Sequence, residues 1–405
     1  MVSVHPFKAL HYHPKHVTLK KVCVPPYDVI SNDEKKKFLK QSPYNFSRII
    51  LGKDKTGYKT ASRRFQSWQD RHILIQDEKE GFYFWEQTFL FQGKKVVRSG
   101  LMCGVSLHDF FKGGIRPHEN TFEAPKSDRM EILKACQANL TPIFMMYDDP
   151  KKVIEKKILP RLESPVLRMT DAFGVKHRIW KIEALDQKQE IQKVLSQKNL
   201  YILDGHHRFA TALKYYTQHK KQNSAHAVMS FITNLCSPGL KVYAIDRILP
   251  FDQDFSKGAY LKKLQNEFKI QQSKKRVQPG IRKWVIRFSK DPIFYVLKPK
   301  NLKKIMASIS NPKVIRDLDV AILHEKIIPS KIQSNLKYLR GMPEYRKRLF
   351  KEVSRGQHSA IWMCAAPNLK QLKAVSDAAL VMPAKSTYFY PKLLSGLLIR
   401  PFNEV

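Results

Sequence analysis

Apolar and polar positions alternate along the chain in short runs, some with the period of a strand and some with the period of a helix. The pattern is clearest at residues 199–213. Leu200-Tyr201-Ile202-Leu203 is an apolar run of strand length, and Phe209, Ala212, Leu213 and Tyr216 follow at i, i+3, i+4 and i+7, one face of a helix. Between them lies a polar turn, Asp204-Gly205-His206-His207-Arg208, with the helix opening near Arg208. Residues 61–75 predict a helix with Phe65 and Trp68 on one face, and residues 81–91 turn through Gln92-Gly93 into 95–101 as a hairpin of a central sheet. Residues 129–138 predict a helix, 143–147 a buried strand, and 168–180 two short strands around Asp171-Ala172-Phe173-Gly174. Residues 187–196 predict a helix feeding the central strand, and 228–233 a further strand. Residues 283–288 and 293–298 predict a second hairpin, and 394–399 a strand that closes the sheet. The fold class is therefore α+β, a mixed β-sheet with surrounding helices. Residues 1–252 are expected to form an α/β core domain holding the central motif. Residues 253–405 carry the second hairpin, helices and a C-terminal segment returning to the core.

Composition changes this picture in two places. Five dispersed cysteines, Cys23, Cys103, Cys136, Cys236 and Cys364, form no Cys-x-x-Cys pair, which points to free thiols in a reducing, cytoplasmic setting. No apolar run is long enough to span a bilayer, and the first residues lack a signal-peptide pattern, so no membrane role is expected. The charge is unusual: 73 basic residues against 35 acidic ones give +38 over 405 residues. Such a balance asks for an anionic partner, a nucleic acid or a phosphorylated metabolite. Most lysines are spread along the chain, as on a solvated surface. Residues 256–310 stand apart with 15 Lys/Arg and 2 Asp/Glu, so the hairpin there is a candidate nucleic-acid surface.

Three segments carry candidate chemistry. In the first, Gly205 lets the backbone turn sharply, and His206, His207 and Arg208 stand where a helix N-terminus attracts anions, phosphate above all. The plainer alternative is that Asp204 caps the helix and pairs with Arg208. In the second, Arg116-Pro117-His118-Glu119-Asn120-Thr121 follows Gly113-Gly114, and Pro125-Lys126-Ser127-Asp128-Arg129 comes next. Glu119 with His118 makes an acid/base pair able to take a proton from an attacking hydroxyl, and Lys126 and Arg129 would neutralise phosphate oxygens. The alternative is a cap by Ser127 or Asp128, with Glu119 paired to Arg116. In the third, Met382-Pro383-Ala384-Lys385-Ser386-Thr387-Tyr388-Phe389-Tyr390-Pro391-Lys392-Leu393, a run of Lys385, Ser386 and Thr387 suits phosphate contacts and the aromatics suit a base or a packed clasp. Asp28, Asn45 and Arg48 read as loop residues. Walker and Gly-x-Ser-x-Gly motifs are absent. Zinc is disfavoured because adjacent histidines do not easily share one ion, whereas a magnesium ion on Asp204 or Glu119 suits oxygen ligands.

These segments, with Pro25-Pro26-Tyr27-Asp28-Val29-Ile30, Ser42-Pro43-Tyr44-Asn45 and Leu318-Asp319-Val320, resemble over nearly the whole chain the family catalogued as "domain of unknown function 1015". The chain departs from that pattern at Asp246, where a histidine is usual, and at Phe209-Ala210, where Tyr-Glu is common. The central loop also looks like the phosphate loop of the ParB/sulfiredoxin-like fold, which includes a free-serine kinase. That likeness implies a nucleotide, ATP or ADP with CTP as the alternative, bound with Mg2+ and with its phosphates on Gly205, His206 and Arg208. It further implies Glu119, His118, Asp204 and His207 as catalytic groups, with Asp204 on the metal. The function implied is a phosphotransferase or phosphohydrolase acting on a small hydroxyl compound. The alternative is a non-catalytic, nucleotide-gated module touching nucleic acid through its basic surface.

Overall fold

The computed structural model describes residues 1–121, 123–219 and 223–402, and the chain divides into two compact units. The first comprises residues 1–241 and 391–405, the second 242–390. The expected cut at 252 thus falls inside the second unit, whose strand Ile245–Pro250 precedes it, and the last fifteen residues belong with the first unit.

The first unit is built on a mixed nine-stranded sheet. From one edge the order is Ile115–Arg116, Leu200–Asp204, Ile143–Tyr147, Ala227–Asn234, Lys94–Ser106, Phe82–Phe91, Lys176–Ile182 and Leu167–Thr170. Val4–His5 pairs with Lys94–Ser106 off this path. Leu200–Asp204 runs parallel to Ile115–Arg116 and antiparallel to Ile143–Tyr147. Ala227–Asn234 is buried at every position, as a central strand covered on both faces must be. The core cluster joins Ile143, Met145, Leu200, Ile202, Phe209 and Ala212, so the central strand and the helix after it share one apolar interior.

The central strand, the hairpin from Phe82–Phe91 to Lys94–Ser106 and the short strands about Asp171 form as the hydrophobic pattern predicts. Two elements differ. The helix expected from 129 begins at Glu123 and runs to Cys136. Pro125 falls in its first turn, where its missing N–H costs no hydrogen bond, so the proline that obscures the helix in the sequence is compatible with it. Residues 394–399 are not a strand of the sheet. Ser395 and Ile399 make isolated bridges to Val24 and Leu10, and only Arg400–Pro401 pairs as a strand, with Ala138–Asn139.

The second unit holds a six-stranded sheet whose pairings are all antiparallel. The expected basic hairpin, Trp284–Phe288 with Phe294–Pro299, lies inside it, between Phe268–Ser273 and His358–Met363. Val285, Ile286, Phe288 and Val296 are buried, and Arg287 packs on the rings of Phe294 and Phe350, so these strands are core rather than a protruding basic arm. Asp246 is fully buried and takes two 2.7 Å hydrogen bonds from the Arg346 guanidinium. None of the described helices is long and apolar enough to cross a membrane.

Candidate active site

The first unit brings the end of the central strand, the loop around His118 and the segment after Pro391 to one place. Leu200–Asp204 ends at Gly205, whose φ of +94° lies in the left-handed region, and the helix His206–Gln218 starts at once. A Cβ on Gly205 would sit 3.0 Å from the Arg208 guanidinium and 3.1 Å from Ile143 Cδ1. Gly205→Ala is therefore expected to cost about 1–2 kcal/mol, read as a lowered thermal midpoint. The first helical bond runs from Phe209 N–H to the Gly205 carbonyl, so the amides ahead of it point out of the helix, and the N-cap residue Gly205 has no side chain to cap them.

Asp204 is the hub. One carboxylate oxygen accepts a 2.7 Å hydrogen bond from Arg208, and the other is gripped by Lys392. Arg208 also donates to the carbonyls of Thr141 (3.3 Å) and Pro142. Burial works against charge on Asp204, but Lys392 and Arg208 overcome it and hold the carboxyl down, at about 2. Of the plainer alternative, the Asp204–Arg208 pair is present and the cap by Asp204 is not, since Gly205 is the N-cap residue.

The two histidines nearest this hub face inward. His118 is fully buried, and its Nδ1–H donates to the Ile202 carbonyl at 2.7 Å. Its backbone N–H donates to His206 Nε2 at 3.3 Å, and the two rings meet edge to face at 4.7 Å. His206 Nε2 must therefore be an acceptor, which places the proton of the neutral ring on Nδ1. Burial lowers both pKa values, that of His206 well below its ordinary value with His118 adding to the effect. Neutral imidazoles at these positions fix the loop to the strand rather than add positive charge. His207, next along the helix, is half-buried.

Glu119 follows His118 on the same loop, half-exposed, and makes no hydrogen bond or ion pair among the described residues. Arg116 turns instead to the Phe111 carbonyl at 2.7 Å, so the alternative pairing of Glu119 is not formed. Lys126 pairs with Glu123 one turn back along its helix, a contact with an exposed partner that contributes little. Thr211 joins that helix to the central one by donating to the Lys126 carbonyl at 3.4 Å. Arg129 is held more firmly: it is buried against Asp128, donates to Tyr58 Oη at 2.8 Å and stacks on Tyr27 at 3.8 Å. Arg129 and Arg208, with Asn139, Thr141 and Thr211, line an otherwise apolar cleft of about 50 Å³, room for a few water molecules.

The remaining candidates, Lys385, Ser386 and Thr387, belong to the second unit. There Lys385 is exposed, and the buried Ser386 hydroxyl donates to the Pro383 carbonyl. The sequence pattern suggests phosphate contacts at these three, whereas Lys392, a few residues on, is the lysine that reaches Asp204. The available signal was Pro391, which sets a lysine ahead of an apolar run. Arg98 is a second residue missed. It is fully buried, stacks on Phe144 at 4.7 Å and donates to the Pro391 carbonyl at 2.6 Å, fastening the turn that presents Lys392.

A mixed sheet carrying a strand–Gly–helix turn with two cations converging on one carboxylate defines the class of this α/β protein. The chain belongs to the family described as "Protein of unknown function (DUF1015)", whose model matches residues 4–321. No curated protein matches it. Among solved structures it is similar to a free serine kinase in complex with AMP, at 12% identity over 68% of this chain and 83% of that one, with a TM-score of 0.34. A variant of that kinase in complex with ADP matches at 12% identity over 68% and 84%, with a TM-score of 0.35. SbnI with a C-terminal truncation, from Staphylococcus aureus, matches at 10% identity over 73% and 85%, with a TM-score of 0.38.

Proposed function

We propose that this protein binds nucleotide phosphates on Gly205, His206, His207 and Arg208 and transfers or hydrolyses a phosphoryl group, with a small hydroxyl compound as acceptor. The nucleotide is ATP or ADP, with CTP as the alternative. One observation carries the reading. A helix N-terminus whose cap position is a left-handed glycine lies beside the side chains of Arg208 and Lys392. Oriented N–H groups and fixed cations are what a transferring phosphoryl group needs, since its chemistry is mostly positioning and charge stabilisation.

In this reading Glu119 accepts the proton of the attacking hydroxyl. Its carboxylate is accessible and takes no partner among the described residues, whereas that of Asp204 is held too acidic by two cations to take a proton near neutrality. Lys126, whose partner is exposed, is free to turn to phosphate oxygens, and Arg129 shapes the cleft wall. His118 and His206 hold the Glu119 loop against the central strand. Magnesium does not fit on Asp204 as first expected, because both oxygens already take cations. Among the described residues no group of three His, Cys, Asp or Glu is gathered to hold a metal ion, and the proposed steps use none.

The test is a thermal-shift panel of ATP, ADP, CTP, GTP and pyrophosphate on the wild type and on His207→Ala/Arg208→Ala. One nucleotide should raise the wild-type midpoint by about 5–10 °C at a hundredfold excess over its Kd. The double variant should show no rise above its own ligand-free midpoint. No shift with any ligand, pyrophosphate included, overturns the reading.

A further inference from the structure

We propose that the second unit holds a binding site of its own, a cavity that takes a short peptide with free termini, its amino end on Glu267 and its carboxyl end on Lys326. The inference stands apart from the phosphate reading above, since every residue of the cavity belongs to the second unit. The cavity measures about 600 Å³, in the range that encloses a small organic molecule. One wall is the end of the helix Lys257–Leu264 with the turn after it. The other is a widened helical turn, Leu323–Ile327, with the segment that follows.

The widened turn is a π-helix: the Ile328 N–H reaches back five residues to the Leu323 carbonyl at 2.8 Å. Such turns are rare, and they occur often at functional sites. Side chains hold this one in place. Gln333 donates to the carbonyls of His324 (2.6 Å) and Ile328 (3.1 Å), and Tyr260 Oη donates to the Ile327 carbonyl at 2.9 Å. Trp362 Nε1 in turn donates to Tyr260 Oη at 2.8 Å, which ties the wall to the sheet. His324 Nε2 accepts from Arg247 at 3.0 Å, so this imidazole serves the wall. The surface is thus preformed, and a ligand need not order it on binding.

The charges choose the ligand. In a chain with 73 basic and 35 acidic residues, the lining of this cavity is balanced, Lys263 and Lys326 against Glu267 and Glu325. A balanced lining disfavours a phosphate and suits a neutral molecule that carries one charge of each sign. Lys263 and Glu325 are exposed, and Glu325 accepts from Asn311 at 3.4 Å. Glu267 and Lys326 are half-buried on different walls, and neither side chain makes a hydrogen bond or ion pair among the described residues. A ligand with an ammonium for the first and a carboxylate for the second makes two charge-assisted hydrogen bonds that the protein alone lacks. The buried Leu264, Ile327 and Ile328 supply the apolar part of the lining. A free amino acid carries both charges on one carbon. A short peptide separates them, fills more of the volume and brings side chains for the apolar lining.

Titration calorimetry on the full chain tests this, with the dipeptide Leu-Leu as probe. Leu-Leu should bind, while its N-acetylated and C-amidated forms should each bind about tenfold more weakly, because each loses one charge-assisted hydrogen bond. Glu267→Gln should weaken Leu-Leu binding about tenfold and erase the penalty for acetylation but not that for amidation. Lys326→Gln should do the reverse. Neither side chain has a partner to lose among the described residues, so both variants should keep the wild-type thermal midpoint. Absence of Leu-Leu binding at about 10 mM overturns the proposal. Equal affinity for the free and capped peptides overturns it too, as do capping penalties that both variants leave unmoved. None of these outcomes touches nucleotide binding in the first unit, which the thermal-shift panel reads separately.

Discussion

Glu119→Gln is expected to lower phosphoryl turnover by about 10²–10⁴-fold while leaving nucleotide binding intact. The carboxylate is half-exposed and makes no hydrogen bond or ion pair among the described residues, so the swap disturbs no packing. The phosphate contacts proposed on Gly205 to Arg208 come from a different element, so the ligand-induced thermal shift should persist. Nucleoside diphosphate release, followed with a panel of small hydroxy compounds, measures the first quantity, and the thermal panel measures the second. An undiminished rate would remove Glu119 as the base. Loss of both rate and shift would recast it as a binding or structural residue.

The second large effect is on stability. Arg346→Ala should destabilise the second unit by about 3–5 kcal/mol, because it strands a buried carboxylate. Asp246 is fully buried, and Arg346 supplies both of the hydrogen bonds described for its side chain. Trp284 and Trp362 lie in this unit, so their fluorescence during urea unfolding reports on it, against Trp68, Trp85 and Trp180 in the first. Replacing both partners at once, Asp246→Leu with Arg346→Met, should recover most of the loss, since nothing charged remains to be stranded. A single-variant loss under about 1 kcal/mol would show that Gln278 or the nearby arginines suffice for Asp246.

The central strand and helix were legible because their signals are local. Leu200 to Leu203 is a short apolar run, and Phe209 and Ala212 repeat at helical spacing. The antiparallel hairpins were legible for the same reason. What the sequence hides is set by contacts between distant residues. Nothing near His206 says that its ring will accept from the backbone of His118, 88 positions away, and so be neutral and buried. Nothing near Asp204 names Lys392 as a partner 188 positions on. Periodicity also misleads where a run is apolar for packing alone. Residues 394–399 look like a strand, yet Leu397 and Leu398 are buried while pairing is confined to single bridges. The basic stretch misleads in the opposite way. Its lysines suggest a nucleic-acid surface, while the buried Val285, Ile286 and Phe288 place its strands inside a sheet.

The return of residues 391–405 to the first unit has a consequence for biogenesis. On the ribosome, the strand bearing Asp204 emerges long before Lys392, and the whole second unit is synthesised in between. During that interval Arg208 alone faces the carboxylate, and the turn held by Arg98 does not yet exist. The nascent protein thus passes through a stage with the central strand and helix made and the Lys392 contact missing. The full set of contacts around Asp204 arrives in one late docking event, and any chain released before Pro391 lacks the lysine that grips its carboxylate.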